Sequence, residues 1–493
     1  MKKSNRRIRW IAAVILGTAT VILAVLLIKH RYMEYDIEKT FPNREFREYV
    51  AKNFDTDHDG KLSRKEADNV TKIDIWLLKN FEDGNSLKGI EIFRKLKYLE
   101  CNNSDLTELN LSGNTELIEV RCAENRITEL DVSNCKSLEL LDCAHNELTS
   151  LDLSKLANLV ELNCSFNHLT SLDVKVPKLR TLSCDMNELK ELDLTHYPEL
   201  LSLSCGFNSI RKLDLRVVKP EFYYLFCMSC ELGELYLWSD AGKDTSVSPD
   251  TMLFCSDNAL TELDLSTIRT LTILDCGYNA LTELDLSRCE ELYSLRCDYN
   301  LLKKVDVSHN QKLSDFNCDG NPLESLDVRM NPRLNSLDVN RIGLNELDVS
   351  ACWELRHLSC ESNNLTELHL EMNPMLFTLN CALNKLTELS LGENPNLENL
   401  DCGGNNLKKL TLTENPKLRK LDCSSNELTE LNLMTNTELK KLDCSNNNLT
   451  ELDLRKNMEL SELSCRSTTL SYVRLGVQLQ VIDCSKTTEI IMP

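Results

Sequence analysis

The stretch LDCSSNELTELNLMTNTEL, residues 421–439, has close copies along most of the chain. LDCAHNELTSLDLSKLANL at 141–159 and LDCGGNNLKKLTLTENPKL at 400–418 place leucine, cysteine and asparagine at the same points of a 21-residue period. A core cysteine marks the register from about residue 96 onward in nineteen turns, of which only the turn with Val339 lacks it. Self-similarity at a fixed period of this length indicates turns that stack on their neighbours.

The pattern within one turn is L-x-x-L-x-C-x-x-N-x-L-x-x-L-x-L-x-x-N-x-x-L. Alternation in L-x-C puts leucine and cysteine on one side of a short strand, so stacked turns form a parallel sheet over a continuous core. Asparagine can bond backbone groups where the chain leaves the strand. The second half of the turn predicts another extended segment on the far side, and the intervening segments are too short for regular α-helices.

This pattern resembles the leucine-rich repeat. The resemblance implies an α/β-type solenoid dominated by short parallel strands, that is, a leucine-rich-repeat superhelix with a small helical N-terminal cap. The expected organisation is a cap at 33–95 and the solenoid at 96–493.

The chain has 22 cysteines, including the pair in CMSC at 227–230. Cys227 is the core cysteine of its turn, and Cys230 stands where other turns place asparagine; the second asparagine site of a turn is occupied by Cys135, Cys289 and Cys352. The register therefore accounts for every cysteine, and we expect reduced, buried thiols that act as small apolar residues. Zinc or redox chemistry at CMSC remains an alternative. Disulfides between adjacent turns are disfavoured because parallel side chains hold the Cβ atoms too far apart.

An uncharged stretch of 18 residues, Ile11–Ile28, follows a basic N-terminus. Its length suits a bilayer core, and the excess of Lys and Arg before it predicts residues 1–10 as a cytoplasmic tail, 11–28 as a transmembrane signal-anchor and the repeats outside the cell. A cleaved signal peptide, which would leave a secreted protein, is the alternative.

The segment DTDHDGKLSRKE, residues 55–66, resembles an EF-hand loop. Calcium takes about seven oxygen ligands, and this spacing offers side-chain oxygens, one carbonyl and one bridged water at the positions such a loop uses. The implied ligands of a single calcium ion are Asp55, Asp57, Asp59, Lys61 through its carbonyl, Ser63 through water, and Glu66. A solvated acidic turn is the alternative. Because only one such loop occurs, we expect a structural clip.

Charge and motif content restrict the function. With 77 acidic and 56 basic residues the formal net charge is −21, which disfavours a nucleic-acid partner. The eight histidines do not recur beside a nucleophile or an acidic group, and no phosphate-cradling glycine loop is present. We therefore expect a protein that is not an enzyme.

Aromatic residues depart from the repeat in turns four to ten, where most outward positions are otherwise Asp, Ser, Asn or Gly. The candidate ligand-binding residues are Phe166, Phe207, Tyr224, Phe226, Phe254, Tyr278 and Tyr299. The insertion at 238–252 falls in the same region, and we expect it to project and form one wall of the site. Exposed aromatic rings are frequent binding hot spots. The alternative is a drifted repeat whose rings cover local core.

An anchor, a cap and repeats together resemble bacterial cell-surface leucine-rich repeat proteins of the internalin class. The resemblance implies a membrane-anchored extracellular protein that binds a protein or glycan ligand on its concave face. A structural envelope protein without a specific ligand and a calcium-dependent enzyme are the alternatives.

Overall fold

The computed structural model describes 33–75, 86–172, 175–241, 250–466, 469–486 and 488–492. The chain divides into two compact units, Met1–Asn208 and Ser209–Pro493, which are treated separately below. The predicted tail at 1–10 and anchor at 11–28 lie outside the described residues. In the part of the chain that is described, no helix has the length and apolar character needed to cross a bilayer.

The first unit begins with a small helical cap. Its elements are β1 (Glu34–Asp36), α1 (Ile37–Thr40), α2 (Arg44–Asn53), β2 (Lys61–Ser63) and α3 (Arg64–Asn69). Strand β1 pairs antiparallel with β2. The Asn43 side chain accepts the Phe46 amide at 2.8 Å and so caps α2. On that helix Phe46 and Val50 are fully buried, and the Phe46 ring packs edge-on against Phe41.

Short parallel strands follow one another through the rest of the first unit. They are β3 (Lys72–Asp74), β4 (Tyr98–Glu100), β5 (Glu119–Arg121), β6 (Leu140–Asp142), β7 (Glu161–Asn163), β8 (Thr181–Ser183) and β9 (Ser202–Ser204). Each pairs with the next in the parallel direction. The first turns therefore stack as the period predicts.

The second unit repeats this arrangement. Its strands are β10 (Lys212–Asp214), β11 (Tyr224–Phe226), β12 (Glu234–Tyr236), β13 (Thr251–Phe254), β14 (Leu271–Asp275), β15 (Ser294–Arg296), β16 (Asp315–Asn317), β17 (Ser336–Asp338), β18 (His357–Ser359), β19 (Thr378–Asn380), β20 (Asn399–Asp401), β21 (Lys420–Asp422), β22 (Lys441–Asp443), β23 (Glu451–Leu454), β24 (Glu462–Cys465), β25 (Tyr472–Leu475), β26 (Val481–Cys484) and β27 (Glu489–Ile491). Most belong to one parallel ladder in which equivalent leucines pair, such as Leu379, Leu400 and Leu421. The predicted leucine-rich-repeat solenoid is confirmed.

The far side of the turns forms strands only in places. Strands β10 and β12 pair there, and so do β23, β25 and β27. Among the described repeat residues the helical segments are short 3₁₀ turns at Ile90–Ile92 and Leu194–His196. The expectation that these segments are too short for regular α-helices is confirmed.

A ladder of buried asparagines closes most turns after the core cysteine. The Asn405 side-chain amide donates to the carbonyls of Cys381 at 3.0 Å and Cys402 at 3.1 Å, and its oxygen accepts the Leu386 amide at 3.0 Å. One side chain thus bonds backbone groups of two neighbouring turns, and each of the two carbonyls also accepts from an adjacent ladder asparagine, Asn384 for Cys381 and Asn426 for Cys402.

A second column of asparagines lies at the far corner of the turn. The Asn331 amide donates to the carbonyls of Val307 and Asn310, while its oxygen has no hydrogen-bond partner among the described residues. Cys352 occupies the same register one turn later, and its thiol donates to the Val328 carbonyl at 3.7 Å. The cysteines at the second asparagine site therefore replace an amide donor with a thiol donor.

The core cysteines are buried side by side. Burial raises the pKa of the Cys360 thiol to about 12, so the nucleophilic thiolate is scarce at neutral pH. Cys227 and Cys230 of CMSC are buried free thiols too, and burial raises the pKa of Cys227. These observations favour packing over redox or zinc chemistry at CMSC.

The expectation that every ladder cysteine is reduced is wrong at the last pair. Cys465 and Cys484 form a disulfide, with their Cα atoms 4.7 Å apart. The spacing between these two residues is 19 residues instead of 21, and Cys484 is only half-buried. Among the described residues, no later turn packs on the strand that carries Cys484. This strand can therefore move closer to the strand of Cys465 than two interior strands can to each other.

We predict that native protein resists thiol alkylation because its free cysteines are buried. Denaturation without reductant should release twenty reactive thiols, the number that are free and buried, and reduction should then release two more. Mass spectrometry of the alkylated protein counts them. A count well below twenty in denaturant alone would reveal disulfides within the ladder and contradict this arrangement.

The insertion at 238–252 does not project at its described ends. Trp238 is fully buried and packs on Phe222 with ring centroids 4.6 Å apart. The Asp240 carboxylate accepts the amides of Arg269 and Thr270 at 2.7 and 2.8 Å. These contacts correct the expectation for the ends of the insertion, because they tie it to the following turn. Residues 242–249 lie outside the described part.

Candidate functional site

The tight turn after each core cysteine exposes one side chain. The second residue after the cysteine has a positive φ in turn after turn, so its side chain points away from the core. In the first unit Phe166 and Phe207 occupy this position and are exposed, with φ of 56° and 55°. The Phe166 ring stacks on His145, centroids 3.9 Å apart. Both predicted rings are therefore accessible, and the first of them stacks on the equivalent residue of the turn before it.

In the second unit, neighbouring strands carry an apolar patch on the side opposite their buried leucines. We call it the apolar patch; it consists of Tyr224, Phe226, Met252, Phe254 and Ile273. The Phe254 ring lies centrally, 5.9 Å from Tyr224 and 6.2 Å from Phe226 between ring centroids. All five side chains are half-buried. Equivalent positions in later turns are mainly polar, for example Ser294 and Asp315.

Two stacked tyrosines stand beside the apolar patch. The rings of Tyr278 and Tyr299 lie 4.6 Å apart at an interplanar angle of 20°, and both are exposed. The Arg341 guanidinium donates to the Tyr299 hydroxyl at 3.0 Å. Gly320 adopts a positive φ, and a Cβ there would come within 2.8 Å of the Tyr299 ring. The glycine thus leaves the space that this ring occupies.

Carboxylates surround one cation on the adjoining strands. Arg296 on β15 pairs in register with Asp275 on β14, and Asp298 lies just past the end of β15. Burial raises the pKa of Asp298. Burial, reinforced by Asp319, raises the pKa of Asp338 to about 6. Carboxylates whose ionised form is disfavoured in this way gain from an added cation, which is a recognised signature of functional sites.

Two shallow depressions lie on this surface. One, of about 430 Å³, is lined by Met228, Asp257, Asp275, Tyr278, Arg296 and Asp298, among others. The second, of about 360 Å³, extends from Phe254 and Ile273 to Asp338 and shares Asp275 and Arg296 with the first. We refer to the apolar patch, the two tyrosines and these charged residues together as the aromatic–acidic face.

The structure brings together five of the seven predicted ligand-binding residues, in two adjacent groups within the second unit. Phe166 and Phe207 belong to the other unit. Sequence reasoning missed Met252 and Ile273, although both stand directly before the buried leucine of their strands and could have been found by comparing that position between turns. It also missed the charged half of the face, which centres on Arg296.

The loop at 55–66 gathers three of its predicted calcium ligands. Carboxylate oxygens of Asp55, Asp57 and Asp59 lie within 4.8 Å of one another. Asp55 is buried, and its Oδ1 has no hydrogen-bond partner among the described residues. The pKa of Asp57 is raised by desolvation and by the neighbouring carboxylates. An orphaned buried oxygen among mutually repelling carboxylates fits a bound cation.

The Glu66 carboxylate accepts hydrogen bonds from Thr56 and Ser63. Its Oε1 accepts from the amide and hydroxyl of Thr56, and its Oε2 accepts from the amide and hydroxyl of Ser63. Burial raises its pKa, but these bonds outweigh that effect and lower the pKa to about 2. The bond from the Ser63 amide to Glu66 Oε2 and the bond from the Glu66 amide to Ser63 Oγ together form a capping box on α3. Through these bonds Glu66 holds the loop closed.

Comparison with solved structures identifies the same fold elsewhere. The functional domain of InlJ from Listeria monocytogenes, described as including a cysteine ladder, matches over 88% of this chain and 82% of its own, with 28% identity and a TM-score of 0.53. YopM from Yersinia enterocolitica matches over 86% and 91%, with 24% identity and a TM-score of 0.64. The leucine-rich-repeat ectodomain of the Arabidopsis thaliana receptor kinase GASSHO1/SCHENGEN3, solved in complex with CASPARIAN STRIP INTEGRITY FACTOR 2, matches over 84% of this chain and 63% of its own, with 19% identity and a TM-score of 0.52.

No protein-family model matches the sequence, and no curated protein matches it either. The solenoid of short parallel strands and its structural neighbours define a protein of the leucine-rich-repeat fold. Its structural likeness is to internalin-type and YopM-type repeat proteins, and this fold class is associated generally with protein binding.

Proposed function

We propose that this protein is a membrane-anchored extracellular leucine-rich-repeat protein that binds a protein ligand through the aromatic–acidic face. The observation that carries the proposal is the apolar patch around Phe254, with its half-buried rings on neighbouring strands of a rigid ladder. Rings held in place before binding reduce the side-chain ordering that association requires. Aromatic anchors of this kind supply most of the binding energy at protein interfaces.

Two further observations support a binding role. The residues that recur at the same position of most turns form the core and the asparagine ladders. The outward strand positions can therefore vary without loss of packing. The receptor-kinase ectodomain of the same fold is solved with a bound factor, so a ladder of this type can carry a ligand. We propose binding rather than catalysis, since the cysteines that could act as nucleophiles are buried with raised pKa values.

The extracellular part of the proposal rests on the amino-acid sequence. Ile11–Ile28 has the length of a membrane span, and the basic residues before it favour an N-terminus inside the cell. Secretion after signal cleavage is the competing possibility. Either route places the repeats outside the cell, where a surface ligand is accessible.

Photocrosslinking on intact cells tests the proposal. The full-length chain carries a photoreactive residue at Tyr278 in one sample and at Met434, an exposed residue of another turn, in the control. A membrane-impermeant label applied first reports whether the repeats are outside. Specific capture of one protein at Tyr278 and not at Met434 supports the proposal. Capture of a glycan, or equal background at both sites, contradicts protein binding at this face.

We also propose that the cap binds one calcium ion through Asp55, Asp57 and Asp59. Calcium would supply the positive charge that three close carboxylates lack, and the orphaned Asp55 oxygen is the observation that supports it. Glu66 would contribute by holding Thr56 and Ser63 in the loop. A clip of this kind would stabilise the cap over the first turns.

We expect Asp55→Asn to weaken calcium binding at least tenfold, because it removes a buried ligand charge. Isothermal titration calorimetry of the full-length protein measures the affinity, and Glu66→Gln should weaken it less. Calcium at about 100 times its Kd should stabilise the cap by about 2.7 kcal/mol through linkage. Asp105→Asn, at an exposed carboxylate outside the loop, is the matched control. Absence of calcium heat at millimolar metal would contradict the proposal.

A further inference from the structure

The larger of the two depressions on the aromatic–acidic face has an excess of negative charge that its own residues do not neutralise. Arg296 is the cation of this lining, against the carboxylates of Asp257, Asp275 and Asp298. No recorded ion pair within the described part of the chain involves Asp275, Asp298 or Asp338. The Ser229 hydroxyl donates to Asp257, but a hydroxyl brings no charge. The depression therefore attracts cations.

Asp298 is the residue that points most directly to a ligand. Its exposed fraction is only 9%, yet it lines the depression, and its carboxylate takes part in no ion pair or side-chain hydrogen bond among the described residues. A Cβ on Gly277 would come within 2.7 Å of the Asp298 Oδ1. The glycine thus leaves room for a carboxylate that is almost fully buried and forms no ion pair among the described residues. A buried charge in this position is costly unless something pairs with it.

The spacing of the carboxylates favours an organic cation over a metal ion. Of the side chains that the structure describes, only the three aspartates of the cap bring ligand atoms within 4.8 Å of one another. The three carboxylates of the depression do not all come that close to one another, which suits a guanidinium, whose donors spread over a plane. The exposed ring of Tyr278 forms part of the same lining and offers a π face to such a group.

The cation-attracting depression is continuous with the apolar patch. Phe254, Asp275 and Arg296 follow one another in register on β13, β14 and β15. Neighbouring strands lie about 4.8 Å apart, so Phe254 and Arg296 are separated by roughly 10 Å, or about three residues of extended chain, and Asp298 follows Arg296 by two residues. A ligand segment can therefore present an apolar side chain to Phe254 and a basic side chain to Asp298.

We infer that the depression between Tyr278 and Asp298 receives the basic side chain, preferably arginine, of a protein segment whose apolar side chain about three residues away contacts the Phe254 ring. This inference rests on the proposed protein-binding function and names the chemistry of the ligand at that face. The stacked tyrosines position the cation, and the carboxylates neutralise it. Arg296 limits the site to one added charge, because a second cation beside it would be repelled.

Peptide display on the immobilised full-length protein provides the probe. Random twelve-residue peptides are selected on the wild type, with Phe254→Ala protein as the counter-selection. We expect the enriched peptides to contain Arg or Lys with an aromatic or branched apolar residue two to four positions away. The best peptide is then synthesised with its arginine and with glutamine in that place.

The charge contact is measured by a double-mutant cycle. Asp298→Asn, a nearly isosteric change, should weaken the arginine peptide about tenfold or more, leave the glutamine peptide within about twofold, and reduce the salt dependence of binding. Asp401→Asn is the matched control, since this outward carboxylate on β20 also has a raised pKa caused by burial. It should leave both affinities unchanged.

The outcomes separate the inference from the function. Peptides that require Phe254 but lack a basic residue, or that ignore Asp298→Asn, overturn the inference and leave protein binding intact. Failure to enrich any peptide over the Phe254→Ala protein overturns both. Displacement of the selected peptide by a soluble neutral glycan would assign the depression to sugar and also overturn the inference.

Discussion

Phe254→Ala should weaken capture of the protein ligand about 30-fold while leaving the repeats folded. Phe254 contacts both Tyr224 and Phe226 and is the centre of the apolar patch, and loss of a central aromatic anchor typically costs about 2 kcal/mol of binding energy. The ring is half-buried on the outward side of β13, and the adjacent core leucine, Leu253, stays in place. Surface plasmon resonance with the crosslinked partner, purified, gives the affinity, and thermal melting reports folding.

Phe377→Ala is the matched control for this change. Phe377 is also an exposed ring in the second unit, where it packs edge-on against His357, and it lies outside the aromatic–acidic face. We expect it to leave capture unchanged. A collapse of melting in Phe254→Ala would show that the ring belongs to the core, and undiminished capture would place the ligand elsewhere.

Asn300→Ala should destabilise the second unit by about 3 kcal/mol, a larger effect than deletion of one ladder cysteine side chain. Its amide donates to the carbonyls of Cys276 and Cys297, and its oxygen accepts the Leu281 amide at 2.9 Å. Alanine leaves the Leu281 amide buried without a partner, at a cost of about 1–3 kcal/mol. The two carbonyls each lose one of two amide donors, at about 0.5–1 kcal/mol apiece, because Asn279 and Asn321 still donate to Cys276 and Cys297. Hydrogen exchange of the Leu281 amide should accelerate strongly, and chemical denaturation measures the total loss.

Asn331→Cys serves as the control, because the chain itself has cysteine in place of asparagine at the equivalent position of another turn. The Asn331 oxygen has no partner, and Cys352 fills the equivalent site one turn later with a thiol donor. We expect a change within about 1 kcal/mol. An Asn300→Ala protein as stable as the wild type, with Leu281 still protected, would mean that water replaces the ladder amide.

The Asp338 carboxylate, which lies on the aromatic–acidic face, lowers the stability of the folded protein when it is ionised. Burial raises the pKa of this carboxylate to about 6, well above the 3.8 of an unperturbed aspartate. A carboxylate whose folded-state pKa is raised makes folding less favourable once it ionises above that pH. Repeats that place small polar residues at equivalent positions avoid this loss. Retention of such groups beside the apolar patch fits the binding role proposed for this face.

The period of the sequence accounts for much of the site as well as the fold. Tyr278 and Tyr299 are 21 residues apart, so their stacking follows from one full turn. The roles of Cys227 and Cys230 follow from register in the same way. Each turn contacts mainly its neighbours, and so position within the period determines the environment of a side chain.

The 21-residue period is interrupted by the insertion before Cys255, and the structure of the insertion could not be predicted from the period. The extra residues could have been added at several points of the turn, and the strand pairing itself shifts between Thr251 and Met252. Burial of Trp238 and Asp240 therefore could not be predicted.

The sequence by itself determined the parallel solenoid, the asparagine ladders and the location of the cysteines, because these depend on which residues recur at one step of a short period. Where a side chain has several available partners, only the tertiary structure decided which of them it bonds. Glu66 bonds Thr56 and Ser63, and Cys465 bonds Cys484 where interior thiols stay free. Asp298 is buried by the residues around it, which no single turn encodes. Competition and burial depend on three-dimensional distances between groups, and a linear pattern specifies only which groups are available.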